Sequence, residues 1–202
     1  MDSTTSLEQI VDHCLEVGIN CLAVADHNTI AGAVRLKKIA PFHVIVAEEI
    51  LTSCGEIIGM FLTQEIPSKL TIEETIARIK AQRGLVCIPH PYDNFRLSAF
   101  RNEAFEVIMP QVDIIEVFNA RSLSPHNSAM SRKLAERFGK PASAGSDAHT
   151  ASEIGKAYVE MPDFDGKETF LTSLSRGRIV GRKSSPLVHF ASTWARLKKS
   201  LL

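Results

Sequence analysis

Two kinds of hydrophobic pattern alternate along the chain. After Ser6, a side chain suited to cap a helix, Leu7, Ile10, Val11, Cys14 and Leu15 recur at helical spacing until Gly18 stops the run. Ile19 to Ala25 then forms a nearly continuous apolar stretch ending at Asp26, His27 and Asn28, as a strand covered on both faces does. The same reasoning predicts a helix over 30–38, strands over 42–47 and 56–62, a helix over 70–82 and a strand over 85–88. Pro89-His90-Pro91 ends that last strand, because proline offers no amide to a ladder. Further on, the pattern predicts helices over 102–109 and 125–138, strands over 113–118, 141–144 and 156–160, and two helices separated by a Gly- and Ser-containing stretch in the tail from Gly166 to Leu202. Strands alternating with helices across short links predict a single α/β domain over 1–202, built on a mainly parallel sheet.

In such folds the polar residues beyond the carboxyl ends of strands build the sites. Asp26 and His27 follow one strand, Glu48 and Glu49 another, His90 a third, Glu116 and Asn119 a fourth, and Asp147 and His149 a fifth. Helix capping or solvation explains any one of these residues alone. Capping does not explain why loop after loop carries His, Asp or Glu directly behind a buried strand. Imidazole and carboxylate together ligate zinc, manganese or iron, and ions about 3.5 to 4 Å apart can activate water and hold the oxygens of a phosphoryl displacement.

Charge and cysteine usage narrow the classes. Among 202 residues, 23 basic and 23 acidic side chains give zero formal charge, which disfavours a broad nucleic-acid or anionic-membrane surface. Cys14, Cys21, Cys54 and Cys87 form no C-x-x-C pair and read as reduced thiols of a cytoplasmic protein. No apolar run reaches the roughly 18 to 20 residues of a membrane span, and the opening residues do not resemble a leader.

The segments Ala25-Asp26-His27-Asn28-Thr29, Ala47-Glu48-Glu49-Ile50, Ile88-Pro89-His90-Pro91, Ile115 to Arg121 and Gly145-Ser146-Asp147-Ala148-His149 resemble, in order, the motifs of the polymerase-and-histidinol-phosphatase (PHP) domain family. The run Gly177 to Pro186 resembles the end of its stand-alone phosphoesterase members. The resemblance implies a distorted (β/α)7 barrel and a cluster of about two or three divalent ions, zinc, manganese or iron. It also implies hydrolysis of phosphate esters, nucleotides or oligonucleotide ends among them, by a metal-activated water. Carried over by position, Asp2, His27, Glu49, His90, Asp147 and His149 are metal ligands, with Glu49 the bridging carboxylate and Glu48 its less certain neighbour. Asp26, Glu49 and Asp147 are the candidates for catalysis, and Glu116 and Asn119 fit supporting positions. Arg121 and Tyr92 are the candidates for binding a small phosphorylated substrate, by paired hydrogen bonds and by stacking.

Two departures from the family pattern matter. The family opens with a strand ending in His-x-His-Thr, whereas this chain begins at what corresponds to the aspartate that follows, Asp2. The expected barrel is therefore incomplete at its N-terminus, with fewer ions held where those histidines are missing. It exposes Ile19–Ala25 as an apolar edge through which copies could pair into a homo-oligomer. The second departure is Ile57-Ile58-Gly59, apolar where many members carry a metal-binding histidine. The alternative function is a catalytically degenerate interaction or regulatory module. The basic group Arg176, Arg178, Arg182 and Lys183 reads as a solvated turn, and a helix at about 187–202 is expected to dock on the domain.

Overall fold

The computed structural model describes residues 5–93, 106–122 and 124–184. Asp2 and the helix expected at about 187–202 lie outside them.

Six strands form one sheet in chain order: β1 (Cys21–His27), β2 (His43–Thr52), β3 (Gly55–Met60), β4 (Leu85–Ile88), β5 (Ile114–Asn119) and β6 (Ala142–Gly145). All run parallel except β3, which pairs antiparallel with both neighbours. The helices α1 (Leu7–Glu16), α2 (Ala31–Ile39), α3 (Ile72–Ala81), α4 (Pro125–Phe138) and α5 (Lys167–Ser175) punctuate the strands. A separate antiparallel pair, β7 (Ala157–Glu160) and β8 (Arg178–Gly181), and two 3-10 turns, Met109–Gln111 and Ala151–Glu153, complete the described elements.

Local chemistry starts and stops these elements. Ser6 caps α1 reciprocally with Gln9, and Thr71 caps α3 with Glu74, each pair satisfying two otherwise unpaired amides. Helix α4 begins with Pro125 in its first turn behind the capping hydroxyl of Ser124, and it stops at Gly139 in the left-handed region with φ of 60°.

Strand alternation then divides the core in two. On the outer face, Val46, Ile50, Ile57, Val86, Ile88 and Ile115 pack against Ala33 of α2, Ile76 and Ile79 of α3, and Leu134 of α4. On the inner face, Ile45, Ala47, Met60, Cys87 and Ile114 meet Phe170 and Leu174 of α5. Burying each of these large aliphatic side chains contributes about 1.5 to 3 kcal/mol.

The sheet is a curled half-barrel rather than a closed ring among the described residues. Its edges are β1 and β6, as the expectation of an open edge at Ile19–Ala25 required. A cleft of about 1010 Å³ runs along the inner face, bounded by β1 on one side and by β6 and β7 on the other.

Two expectations are corrected. Strand β2 continues to Thr52 because it forms a hairpin with β3, so Glu48 and Glu49 lie within the strand and not beyond its end. Residues 178–181, expected in the stretch between two tail helices and in a solvated turn, form β8 because β7 supplies a ladder for them. Among the described residues no helix is long and apolar enough to cross a membrane.

Candidate metal centre

The inner-face pleat decides which polar side chains meet. Glu49 shares the face of Ile45 and Ala47, and it pairs across the hairpin with Ile58. Glu56 lies two residues before Ile58, diagonal to Glu49, where long side chains reach one another. His27, opposite Glu49 on β1, completes a group whose donor atoms all lie within 4.8 Å of one another.

Glu49 is the hub. Its Oε1 lies 3.1 Å from His90 Nε2, and its Oε2 lies 3.6 Å from His27 Nδ1. Glu56 mirrors it at 3.8 Å from each imidazole, with Oε1 toward His27 Nδ1 and Oε2 toward His90 Nε2. Glu49, Glu56 and His90 are buried, and His27 is half-buried at the rim. Two carboxylates taken from water beside each other repel unless a cation lies between them, and two imidazoles complete a ligand set of the zinc, manganese or iron kind. The residues therefore fit a divalent metal. Glu56 was not among the residues singled out in the sequence, although it is an acid within an otherwise apolar strand, Gly55–Met60.

His90 stands on the loop after β4 with φ of 28°, outside the usual range for a side-chain-bearing residue. Its backbone N–H donates to Glu116 Oε2 at 2.8 Å. Glu116 is buried on the inner face, and burial raises its pKa above the ordinary carboxylate range. Gly145 makes room for it, since a Cβ there would overlap Glu116 Oε1. Asn119 Nδ2 donates both to Glu116 Oε2 at 3.2 Å and to Asp147 Oδ2 at 3.3 Å. Asp147 has φ of 52°, and His149 Nδ1 lies 3.0 Å from the Asp147 carbonyl oxygen. His27, Glu49, His90, Asp147 and His149 all line the same cleft.

Other expected site residues are placed differently. Asp26 also lines the cleft, but it shares the pleat of Val24, whose side chain packs on the outer core, and it is not in the group His27, Glu49 and Glu56. Glu48 also faces outward; it is fully buried and accepts Ile66 N–H at 2.9 Å through Oε2. Burial pushes its pKa up to about 6. The Tyr92 ring packs against the outer core rather than offering a stacking face to the cleft. The Arg121 side chain is only 3% exposed and lies beside Glu153, so it is not displayed to bind a substrate phosphate. Lys183, expected in a solvated turn, donates to the Asn119 carbonyl at 3.1 Å.

Comparison with known proteins gives the chain's relatives and its fold. Residues 125–179 match the family model described as PHP-associated. The chain is 41% identical over 122 residues to the uncharacterized protein MJ1587 of Methanocaldococcus jannaschii, covering 59% of this chain and 69% of that one. It is 36% identical over 146 residues to the uncharacterized protein MJ0417 of the same organism, covering 71% of this chain but only 58% of the relative. Among solved structures, PsfC from Pseudomonas syringae superposes with a TM-score of 0.70 at 17% identity, over 100% of this chain and 94% of that one. A two-domain protein from Bacteroides vulgatus, containing a predicted PHP-like metal-dependent phosphoesterase, gives 0.68 at 14% identity, over 89% and 63%. At these identities the structural likeness speaks for the fold alone.

Proposed function

Because this chain belongs to the PHP family, we propose that it is a metal-dependent phosphoesterase acting on small phosphate esters, with nucleotides and oligonucleotide ends as the first substrates to try. The observation that carries this is the convergence of His27, Glu49, Glu56 and His90 around one point of the cleft, with Glu49 within 3.6 Å of both imidazoles. These four residues, joined by Asp147 and His149 from the loop after β6, would hold about two or three divalent ions. A cation held there supplies Lewis acidity, activating water and offsetting charge on the transferring phosphoryl oxygens. The side chains do the rest. Glu49 presents one oxygen toward each imidazole and so links the two sides of the site, while Glu116 and Asn119 tether the His90 and Asp147 loops.

Among the described residues β1 is an edge of the sheet, and an apolar strand edge of that kind supports pairing with a second copy of the chain. The four free thiols support a reducing, cytoplasmic setting.

Hydrolysis of a panel of nucleotides and sugar phosphates, with manganese, zinc or a chelator, tests the activity. Turnover that depends on added metal and disappears in Glu49→Gln supports it. No turnover on any substrate by metal-loaded protein favours the degenerate interaction module.

A further inference from the structure

We propose that Arg121 and Glu153 form a buried positioning pair that sets the loop carrying Asp147 and His149, so that His149 offers Nε2 to the metal centre. The proposal rests on the metal-centre reading for its purpose and on the following geometry for its substance. The two side chains are 3% and 4% exposed, and Arg121 Nε lies 3.7 Å from Glu153 Oε1. The other carboxylate oxygen, Oε2, accepts three bonds from the loop: His149 N–H at 3.0 Å, Thr150 N–H at 3.1 Å and the Thr150 hydroxyl at 3.1 Å. One oxygen thus faces the cation and the other gathers the loop, a division that an amide in place of the acid does not reproduce.

The loop so held has a defined imidazole. His149 Nδ1 sits 3.0 Å from the Asp147 carbonyl oxygen, and a carbonyl only accepts, so Nδ1 carries the proton in the neutral ring. The lone pair is then on Nε2, the nitrogen left to ligate. Asp147 pays for its left-handed φ of 52° only where its surroundings over-determine it, and they do so from β5. Asn119 Nδ2 holds the Asp147 carboxylate, while Asn119 Oδ1 accepts the Arg121 backbone N–H at 2.9 Å. The end of β5 therefore reaches both members of the closing pair, the aspartate through Asn119 and the histidine loop through Arg121 and Glu153. Arg121 acts on the metal centre through the loop and does not touch substrate.

Glu153→Gln and the milder Thr150→Val test this by manganese titration calorimetry, by nitrogen NMR of the imidazoles in chelator-treated protein, and by a KM against kcat split at saturating manganese. Glu153→Gln should weaken manganese binding about 10- to 100-fold, the range for lost support of a ligand. Thr150→Val, which removes the hydroxyl's hydrogen bonds to Glu153 and Ser152 and buries no charge, should weaken it about 3-fold and serves if Glu153→Gln does not fold. His149 should show a single Nδ1–H tautomer in the wild type and a mixture in Glu153→Gln, with KM for the phosphoester unchanged in either variant once manganese saturates. Unchanged manganese affinity and an unchanged tautomer in the variants overturn the pair. So does a raised KM in Arg121→Lys with manganese affinity intact, which would make Arg121 a phosphate ligand. A wild type that takes up no manganese overturns the metal centre instead, and the imidazole tautomer of the metal-free protein still decides the pair.

Discussion

The two sides of the cleft hold their polar groups in opposite ways. On the side built from β1, β2, β3 and the loop after β4, His27, Glu49, Glu56 and His90 face one another at 3.1 to 3.8 Å, and two of them are acids. On the side built from β5 and β6, Asp147 and His149 are tethered by Asn119 and Glu153, with Arg121 supplying a compensating charge. The first arrangement is electrostatically incomplete without a cation, whereas the second brings the Arg121 cation to its acids. Removing metal should therefore loosen the first side and leave the second in place.

The largest effect is expected at the hub. Glu49→Gln should lower metal-dependent turnover at least about 100-fold, because it takes charge from the residue that faces both imidazoles, and steady-state kinetics at saturating metal reads this. Glu56→Gln separates the two sides more finely, since it should weaken metal binding yet stabilise the metal-free protein. At pH 8 with chelator, above the ordinary imidazole range, relief of the Glu49–Glu56 repulsion should raise Tm by about 2 to 4 °C. A lower Tm under those conditions would show that the acids do not oppose each other.

The next effect concerns neighbours on one strand. Glu48 and Glu49 are adjacent but point to opposite faces, and burial raises the Glu48 pKa to about 6. A buried acid with a raised pKa favours folding when protonated, so its contribution is full below the unfolded value near 4.5 and is lost as pH rises through about 6. Glu48→Gln should remove that loss and flatten stability between those values, in denaturant melts across pH, without changing metal affinity. The smallest effect is expected at Tyr92, where Tyr92→Phe keeps the ring in the outer core and should leave KM for nucleotides within about 2-fold.

How much of this was legible in the sequence depends on whether the cause was local. Strand β4 and helix α4 were read to the residue, because Gly84 and Pro89 bound the one while Pro125 and Gly139 bound the other. His27, Glu49, His90, Asp147 and His149 were legible as candidates because each sits at or near the end of a strand. Strand β8 was not, since its short segment becomes a strand only through pairing with β7. Glu56 escaped because its role depends on the β2–β3 register, which sets it diagonal to Glu49. The burial of Arg121 was hidden for the same reason at longer range. Nothing near it in the chain announces that Glu153 will bury it.

Metal content by elemental analysis, on wild-type and Glu49→Gln protein loaded with manganese or zinc and then dialysed, tests the central claim most directly. The metal centre predicts at least about one ion retained per wild-type chain and clearly less in the variant. Equal retention by the two proteins, or none by the wild type, would contradict it.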